Sequence, residues 1–408
     1  MAGERLADAM TPEIVESVLD RLEDRAIVAF AQDLVRISSV TGGERAAAEF
    51  IAEACNRSGL QVETREVHRD RPNVLALWPG ETPEIGLLLH GHTDTVPFLG
   101  MQDPTSGEMV DGHIWGRGSV DQKGGLAAAV MALSAIASSG VRLVKSMAVA
   151  AVIDEESEHR GSAALVEDGL KADCAITTEP SDLQLLVACK GTAPIRIRFT
   201  GVLAHGSRPW LGVSAIEMAS RTVEALGKLK LNTVELPGIG TMRASINLGL
   251  IEGGTAYNNV ADSCSLWLDR RMVPGETHAA ALAEVRQVLS RLAADDPTFK
   301  AEAEIARPDW KWDRIRERGL NPALTPPDSP VAQAVAEAHR AETGQAVDIG
   351  YTHGYNDGDF LVNDLGIQTV NYGPGESARS HTDEEQLRID HLLTAARVYT
   401  RAALSMAG

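Results

Sequence analysis

Three strongly apolar runs in this chain each end abruptly in acid or imidazole. In GLLLHGHTDTVP (Gly86–Pro97), Leu87, Leu88 and Leu89 lead to His92 and Asp94. MAVAAVIDEE (Met147–Glu156) ends on the pair Glu155 and Glu156, and ADCAITTEP (Ala172–Pro180) ends on Glu179 and Pro180. Continuous rather than alternating hydrophobicity predicts strands buried on both faces, as in a parallel sheet, and the glycine and proline after the leucines stop the first strand near His92. Ligands of open α/β sheets bind beyond the carboxyl ends of the strands, so the three charged ends are expected to line one crevice.

The middle of the chain follows another rhythm. PIRIRFTG (Pro194–Gly201), ASINLGLIEGG (Ala244–Gly254) and SCSLWLDRR (Ser263–Arg271) alternate with period two, whereas GVSAIEMASRTVEALGKL (Gly212–Leu229) and the stretch near His278–Ala294 have helical spacing. Strand, helix, strand, strand, helix, strand predicts a small α+β sandwich inserted at residues 190–305. A discontinuous α/β domain of mixed, largely parallel sheet is then expected at 1–189 and 306–408. ARPDWKWDRIRERGLNPALTPPDSP (Ala306–Pro330), which bears Pro and Trp, would carry the chain back into it.

The charged strand ends define a chemistry. Two histidines and four carboxylates, His92, Asp121, Glu155, Glu156, Glu179 and His381, can hold two divalent ions that accept imidazole and carboxylate oxygen. A single histidine after a strand is ordinarily a satisfied loop group. His92 differs because Asp94 lies two residues on, where a carboxylate can hold the far ring nitrogen and fix the tautomer. Adjacent glutamates are ordinarily a solvated face, but Glu155 and Glu156 abut a run that must be buried. Asp121 lies in GRGSVDQKGGLAAAV, with an apolar helix following from Leu126 to about Ile136. Gly116 and Gly118 do not make this a phosphate loop: the third glycine of a dinucleotide fingerprint and the Gly-Lys-Ser/Thr of a P-loop are both missing.

The blocks HGHTDTVP, GRGSVDQKGG, IDEESEHRGS, TTEP, LAHGSRPWLGVSAIE and GPGESARSHTDEE, taken in order from about Ile27 to Leu393, resemble those of a co-catalytic metallopeptidase family. That family includes acetylornithine deacetylase, succinyl-diaminopimelate desuccinylase, aminoacylase and glutamate carboxypeptidase. The resemblance implies a phosphorylase/hydrolase-like catalytic domain with an inserted lid that also forms a homodimer contact. It implies that His92 and Glu179 bind one metal, Glu156 and His381 the other, and Asp121 both, with Asp94 orienting His92 and Glu155 as general base. Zinc is the default ion, and manganese and cobalt accept the same ligands. His205 would reach the active site of the partner subunit and stabilise the oxyanion there, while Asn258 and Arg271, with Asn259 and Arg270 as competitors, would hold the substrate, Arg271 by gripping a carboxylate.

The expected reaction is hydrolysis of an N-acyl or peptide-like C–N bond in a small, carboxylate-bearing substrate by a water bridging the two ions. A carbamoyl or aryl-amine bond on the same metals is the near alternative, and a non-catalytic small-molecule binder the distant one. Two positions depart from the family pattern: Ala261 stands where proline is usual, and YTHGYNDGDF (Tyr351–Phe360), with the extra His353, replaces a small, threonine-rich run before Asp357.

Composition narrows the setting. A net charge of -19 argues against nucleic-acid and anionic-membrane partners, so an anionic substrate must be drawn by local groups. With 408 residues, 44% of them hydrophobic, the chain can bury a large core in two or three domains. Cys55, Cys174, Cys189 and Cys264 lack paired metal-ligand spacing and read as buried thiols of a reducing compartment. MAGERLADAM has no export-signal pattern, and no apolar stretch approaches the roughly 20 residues of a membrane span, which points to the cytoplasm. Thr11 and Pro12 predict the cap and first turn of a helix.

Overall fold

The computed structural model describes residues 10–307 and 310–408, so the expectations for residues 1–9 and for Pro308 and Asp309 of the connecting segment lie outside the described residues. The chain forms two compact units. One comprises the described residues up to Ala188 together with Leu324–Tyr351 and Asn356–Gly408, and the other comprises Cys189–Ala323 and Thr352–Tyr355.

The first unit is built on a mixed nine-stranded sheet. Its order runs Gln61–His68, Arg71–Trp78, Ser146–Val152, Ile85–His92, Ala172–Thr177, Gln368–Asn371, Leu185–Cys189 and Ala323–Leu324, with Ile349–Thr352 beside Leu185–Cys189. The three strands expected from the apolar runs are adjacent and parallel: His92 lies opposite Val152 on one side, and His90 opposite Thr177 on the other. Every residue of Ile85–His92 and of Ser146–Val152 is buried, which explains why their sequences show no alternation. Because the register is parallel, His92, the Ile153–Glu156 turn and Glu179 leave the same edge of the sheet at nearly one level.

Helix Gly124–Ser139 is buried nearly all round and follows directly on the segment that bears Asp121. Its start passes so close to the strand end carrying Glu179 that a Cβ at Gly125 would lie 2.1 Å from the Thr178 carbonyl oxygen. Only glycine fits there. At the chain's beginning, Thr11 caps helix Pro12–Leu19, its hydroxyl accepting from the Ile14 N–H at 3.4 Å.

The second unit is the expected sandwich. Its four-stranded antiparallel sheet runs Ser245–Gly253, Ser263–Met272, Gly191–Thr200, Ala301–Ile305, and helices Ala215–Gly227 and His278–Asp295 pack against it. Strict alternation along Ser263–Met272 puts Cys264, Leu266, Leu268 and Met272 into the core with Ile195, Ile197, Met218 and Val285. A hairpin, Thr233–Leu236 with Gly240–Arg243, is added to the expected elements. The return to the first unit falls at Leu324 rather than at 306, because the connecting segment stays with the sandwich: Ala306 N–H donates to Pro194 O, and Leu320 bridges Thr192. Among the described residues no helix is long and apolar enough to cross a membrane.

Candidate metal centre

Seven expected residues, His92, Asp94, Asp121, Glu155, Glu156, Glu179 and His381, belong to the first unit, and the structure groups the proposed ligands into two clusters. His92, Asp121 and Glu179 offer ligand atoms within 4.8 Å of one another, as do Asp121, Glu156 and His381. Asp121 is common to both and divides its oxygens between them. Its Oδ1 lies 3.2 Å from His92 Nε2, and its Oδ2 lies 3.4 Å from His381 Nε2. Glu179 Oε1 is 3.7 Å from His92 Nε2, and Glu156 Oε1 is 3.0 Å from His381 Nε2.

The supporting contacts decide which atoms face the clusters. His92 Nδ1 lies 2.8 Å from the Asp94 main-chain carbonyl, so that nitrogen carries the hydrogen and Nε2 keeps its lone pair for a cation. The Asp94 carboxylate stands farther off, 3.5 Å from Nδ1, and has other work. Its Oδ1 accepts from the Glu155 N–H at 3.1 Å, and its Oδ2 accepts from the Glu156 N–H at 3.2 Å and the Thr41 hydroxyl at 2.9 Å. Asp94 therefore orients His92 through its backbone and the Glu155-Glu156 turn through its side chain. From below, Arg71 joins Glu44 and Asp154, pinning the same turn.

Electrostatics tests whether these groups suit a cation. Burial first, then repulsion from Glu179, drives the Glu155 carboxyl well above its usual range. Burial and Asp121 do the same to Glu179, and burial and Asp121 also raise Glu156. Hydrogen bonds to Asp121 and Glu156 push the His381 imidazole up to about 10, although burial opposes its charge. The donor set by itself is an excess of buried negative charge. Two divalent cations would relieve it, and imidazole with carboxylate is the chemistry zinc, manganese and cobalt accept.

A third cluster escaped the sequence reading. Glu155, His159 and Asp357 bring ligand-type atoms within 4.8 Å of one another in a fully buried setting. Asp357 Oδ1 lies 2.8 Å from His159 Nδ1, its Oδ2 accepts from Ser162 at 2.6 Å, and Ser162 meets His90 Nε2 at 2.8 Å. Ser162 bonds Asp357 and His90, so this is not a nucleophilic triad. Arg117 and Glu385, beneath Asp121, also escaped, since no local pattern marks either.

The remaining candidates lie in the second unit. His205 is exposed, and its Nδ1 accepts from the Ser207 N–H at 3.1 Å, which puts the hydrogen of the neutral ring on Nε2. Asn258 is exposed and its carbonyl accepts from Gly206 N–H at 2.7 Å. Arg270 is buried, held by Glu276 at 2.6 Å and Glu284 at 3.0 Å. Arg271 is half-buried, contacting Asp269 at 2.8 Å with its guanidinium 5.5 Å from the Tyr355 ring centroid. Of the two arginines, Arg271 is the one available to a ligand. His353 is exposed.

A sequence profile of peptidase family M20/M25/M40 matches residues 88–405. The chain is 31% identical to acetylornithine deacetylase of Edwardsiella ictaluri, over 84% of this chain and 86% of that one. It is 27% identical to N-formyl-4-amino-5-aminomethyl-2-methylpyrimidine deformylase of Bacillus subtilis, over 86% of each. Its fold is similar to that of a Bacillus subtilis protein described as a dinuclear metal binding peptidase from the M20 family: TM-score 0.70, 15% identity, covering 95% of this chain and 98% of the other.

Proposed function

The chain belongs to peptidase family M20/M25/M40, and from that premise we propose a metal-dependent amidohydrolase that cleaves an N-acyl or peptide-like C–N bond in a small anionic substrate. The observation that carries the reading is the posture of Asp121, one oxygen toward His92 and the other toward His381. His92, Glu179 and Asp121 would hold one divalent ion, and Asp121, Glu156 and His381 a second, zinc by default. Such ions, when bound, supply Lewis acidity to the scissile carbonyl and acidify water.

The chain's own groups do the rest. Glu155, fixed by the Asp94 carboxylate through its backbone N–H, accepts the proton of the attacking water and passes it to the departing nitrogen. An amine leaves readily only once protonated, so the same carboxyl must act in both directions. In a dimer His205, whose Nε2 carries the hydrogen, would reach the active site of the partner subunit and serve there as a donor to the developing oxyanion.

Substrate recognition falls to a basic group within the second unit. Arg271 lies opposite Thr192 in the ladder, and Lys190 immediately precedes the strand Gly191–Thr200 that carries Thr192. Burial and the neighbouring Arg271 hold the Lys190 ammonium below its usual pKa. Arg307 Nη1 lies 3.0 Å from the Tyr355 hydroxyl, the ring over which Arg271 sits. In a chain of net charge -19 this local excess of cations suits a carboxylate.

The test is a panel of N-formyl, N-acetyl, N-succinyl, N-carbamoyl and dipeptide substrates, run with and without chelator. Turnover of N-acyl or peptide substrates that the chelator abolishes is expected; undiminished turnover under chelation rejects the reading. In the same panel Arg271→Ala is expected to raise KM for carboxylate-bearing substrates by roughly 10- to 100-fold, the worth of a charged hydrogen bond, and to spare neutral ones. Equal losses reject the role of Arg271.

We further propose a cytoplasmic homodimer formed through the second unit. Its supports are four buried cysteines and the edge strand Ser245–Gly253, which leaves Leu250 and Ile251 about half exposed. Sedimentation velocity should show a dimer that Ile251→Lys converts toward monomer; a monomeric wild-type protein contradicts the assembly.

A further inference from the structure

Glu385 offers no atom to either proposed cation site, yet its side chain is completely buried and aimed at the peptide that carries Asp121. Its Oε1 accepts from two successive backbone N–H groups, Val120 at 3.0 Å and Asp121 at 3.1 Å. Its Oε2 accepts from Arg117 Nη1 at 2.6 Å, and Arg117 is itself buried. These bonds matter because the backbone between Gly118 and Lys123 is not regular helix: Asp121 and Gln122 are extended in φ, at -122° and -136°. An N–H buried without a partner is destabilising, and one carboxylate oxygen here satisfies two.

The same residue also belongs to the segment that brings in His381, four positions earlier. Immediately after Glu385, strand Gln386–Arg388 pairs antiparallel with His113–Trp115, and the Gly116 N–H donates to the Glu385 carbonyl at 3.3 Å. Glu385 is thus tied through both its backbone and its side chain to the stretch that runs from Trp115 to Asp121. The facing of Asp121 toward both His92 and His381 depends on the orientation of the peptide that carries it. A small rotation of that peptide would open the 3.2 Å or the 3.4 Å approach.

We propose that Glu385, braced by Arg117, is a positioning residue that locks the shared carboxylate of Asp121 between the two cation sites and so sets the affinity of both. It acts through Asp121 and touches no substrate. The proposal rests on the two-cation reading of the site.

The experiment is calorimetric titration of metal-free protein with zinc, alongside turnover measured as free zinc is raised. Wild type is expected to take up two ions. Glu385→Ala is expected to bind both roughly 10- to 100-fold more weakly, as loss of an outer contact to a ligand does, and to regain most of its turnover at high zinc. Glu385→Gln keeps an oxygen for the two N–H groups but turns an amide toward Arg117, so its loss should be smaller, about 3- to 10-fold. This variant carries the test if Glu385→Ala fails to fold. Wild-type affinity in a folded variant of either kind overturns the proposal, as does lost turnover that excess zinc leaves unrestored. Failure of the wild-type protein to take up two ions would instead refute the underlying two-cation reading.

Discussion

Glu155→Gln should lower kcat by about two to four orders of magnitude, the range expected when a general acid–base is removed, while leaving zinc uptake at two ions. The separation follows from geometry. Glu155 is absent from both of the proposed ligand clusters, but it is anchored to them by the Asp94 carboxylate, which takes the backbone N–H groups of Glu155 and Glu156 side by side. Glutamine preserves the shape and the backbone anchor, so the turn that presents Glu156 should stay in place. What is lost is a group able to accept a proton and return it. KM should change little, because the carboxylate is assigned to proton transfer rather than to substrate binding. Steady-state kinetics with metal analysis of the same preparation checks both halves; a variant retaining more than about a tenth of wild-type kcat would exclude Glu155 as the base.

Asp121→Ala should abolish high-affinity uptake of both ions. A residue that serves only one site would cost one ion, but Asp121 puts a different oxygen toward each histidine. Loss of an outer contact typically costs 10- to 100-fold in affinity, so loss of this shared ligand should exceed about 100-fold for each ion. Thermal melting provides an independent view. Binding to the folded state stabilises by mass action, so zinc should raise the Tm of the wild-type protein and leave that of Asp121→Ala nearly unchanged. If the variant still bound one ion with wild-type affinity, Asp121 would serve a single site and the two-cluster assignment would need revision.

Much of this site could be read from the sequence because burial and charge collide there. Leu87–Leu89, Met147–Ile153 and Ala172–Thr177 are apolar enough to demand parallel strands covered on both faces, and the acids and imidazoles at their ends had to emerge at one edge. The insert was legible for a similar reason: alternation along Ser263–Met272 predicts both the sandwich and its buried face. That pattern, followed to its end, would also have separated the two arginines, since Arg270 shares a face with Leu266 and Leu268 while Arg271 points the other way.

Other features had no local signature. Glu385 and Glu384 are adjacent acids, yet one is buried and the other exposed, and the partners that distinguish them, Val120, Asp121 and Arg117, lie more than 260 residues away. Asp357 reaches His159 and Ser162 across nearly 200 residues. The Asp94 carboxylate was expected to serve His92, and only the folded turn shows that it also takes the Thr41 hydroxyl and the two glutamate N–H groups, each at shorter range than His92 Nδ1. The later return at Leu324 was hidden because a segment rich in proline and tryptophan reads as a linker although it pairs with the sandwich.

Anomalous diffraction at the zinc edge from crystals of zinc-loaded protein addresses the central claim most directly. Two peaks are expected on either side of the Asp121 carboxylate, one against His92 Nε2 and Glu179, the other against His381 Nε2 and Glu156. A single peak, or peaks away from Asp121, would contradict it.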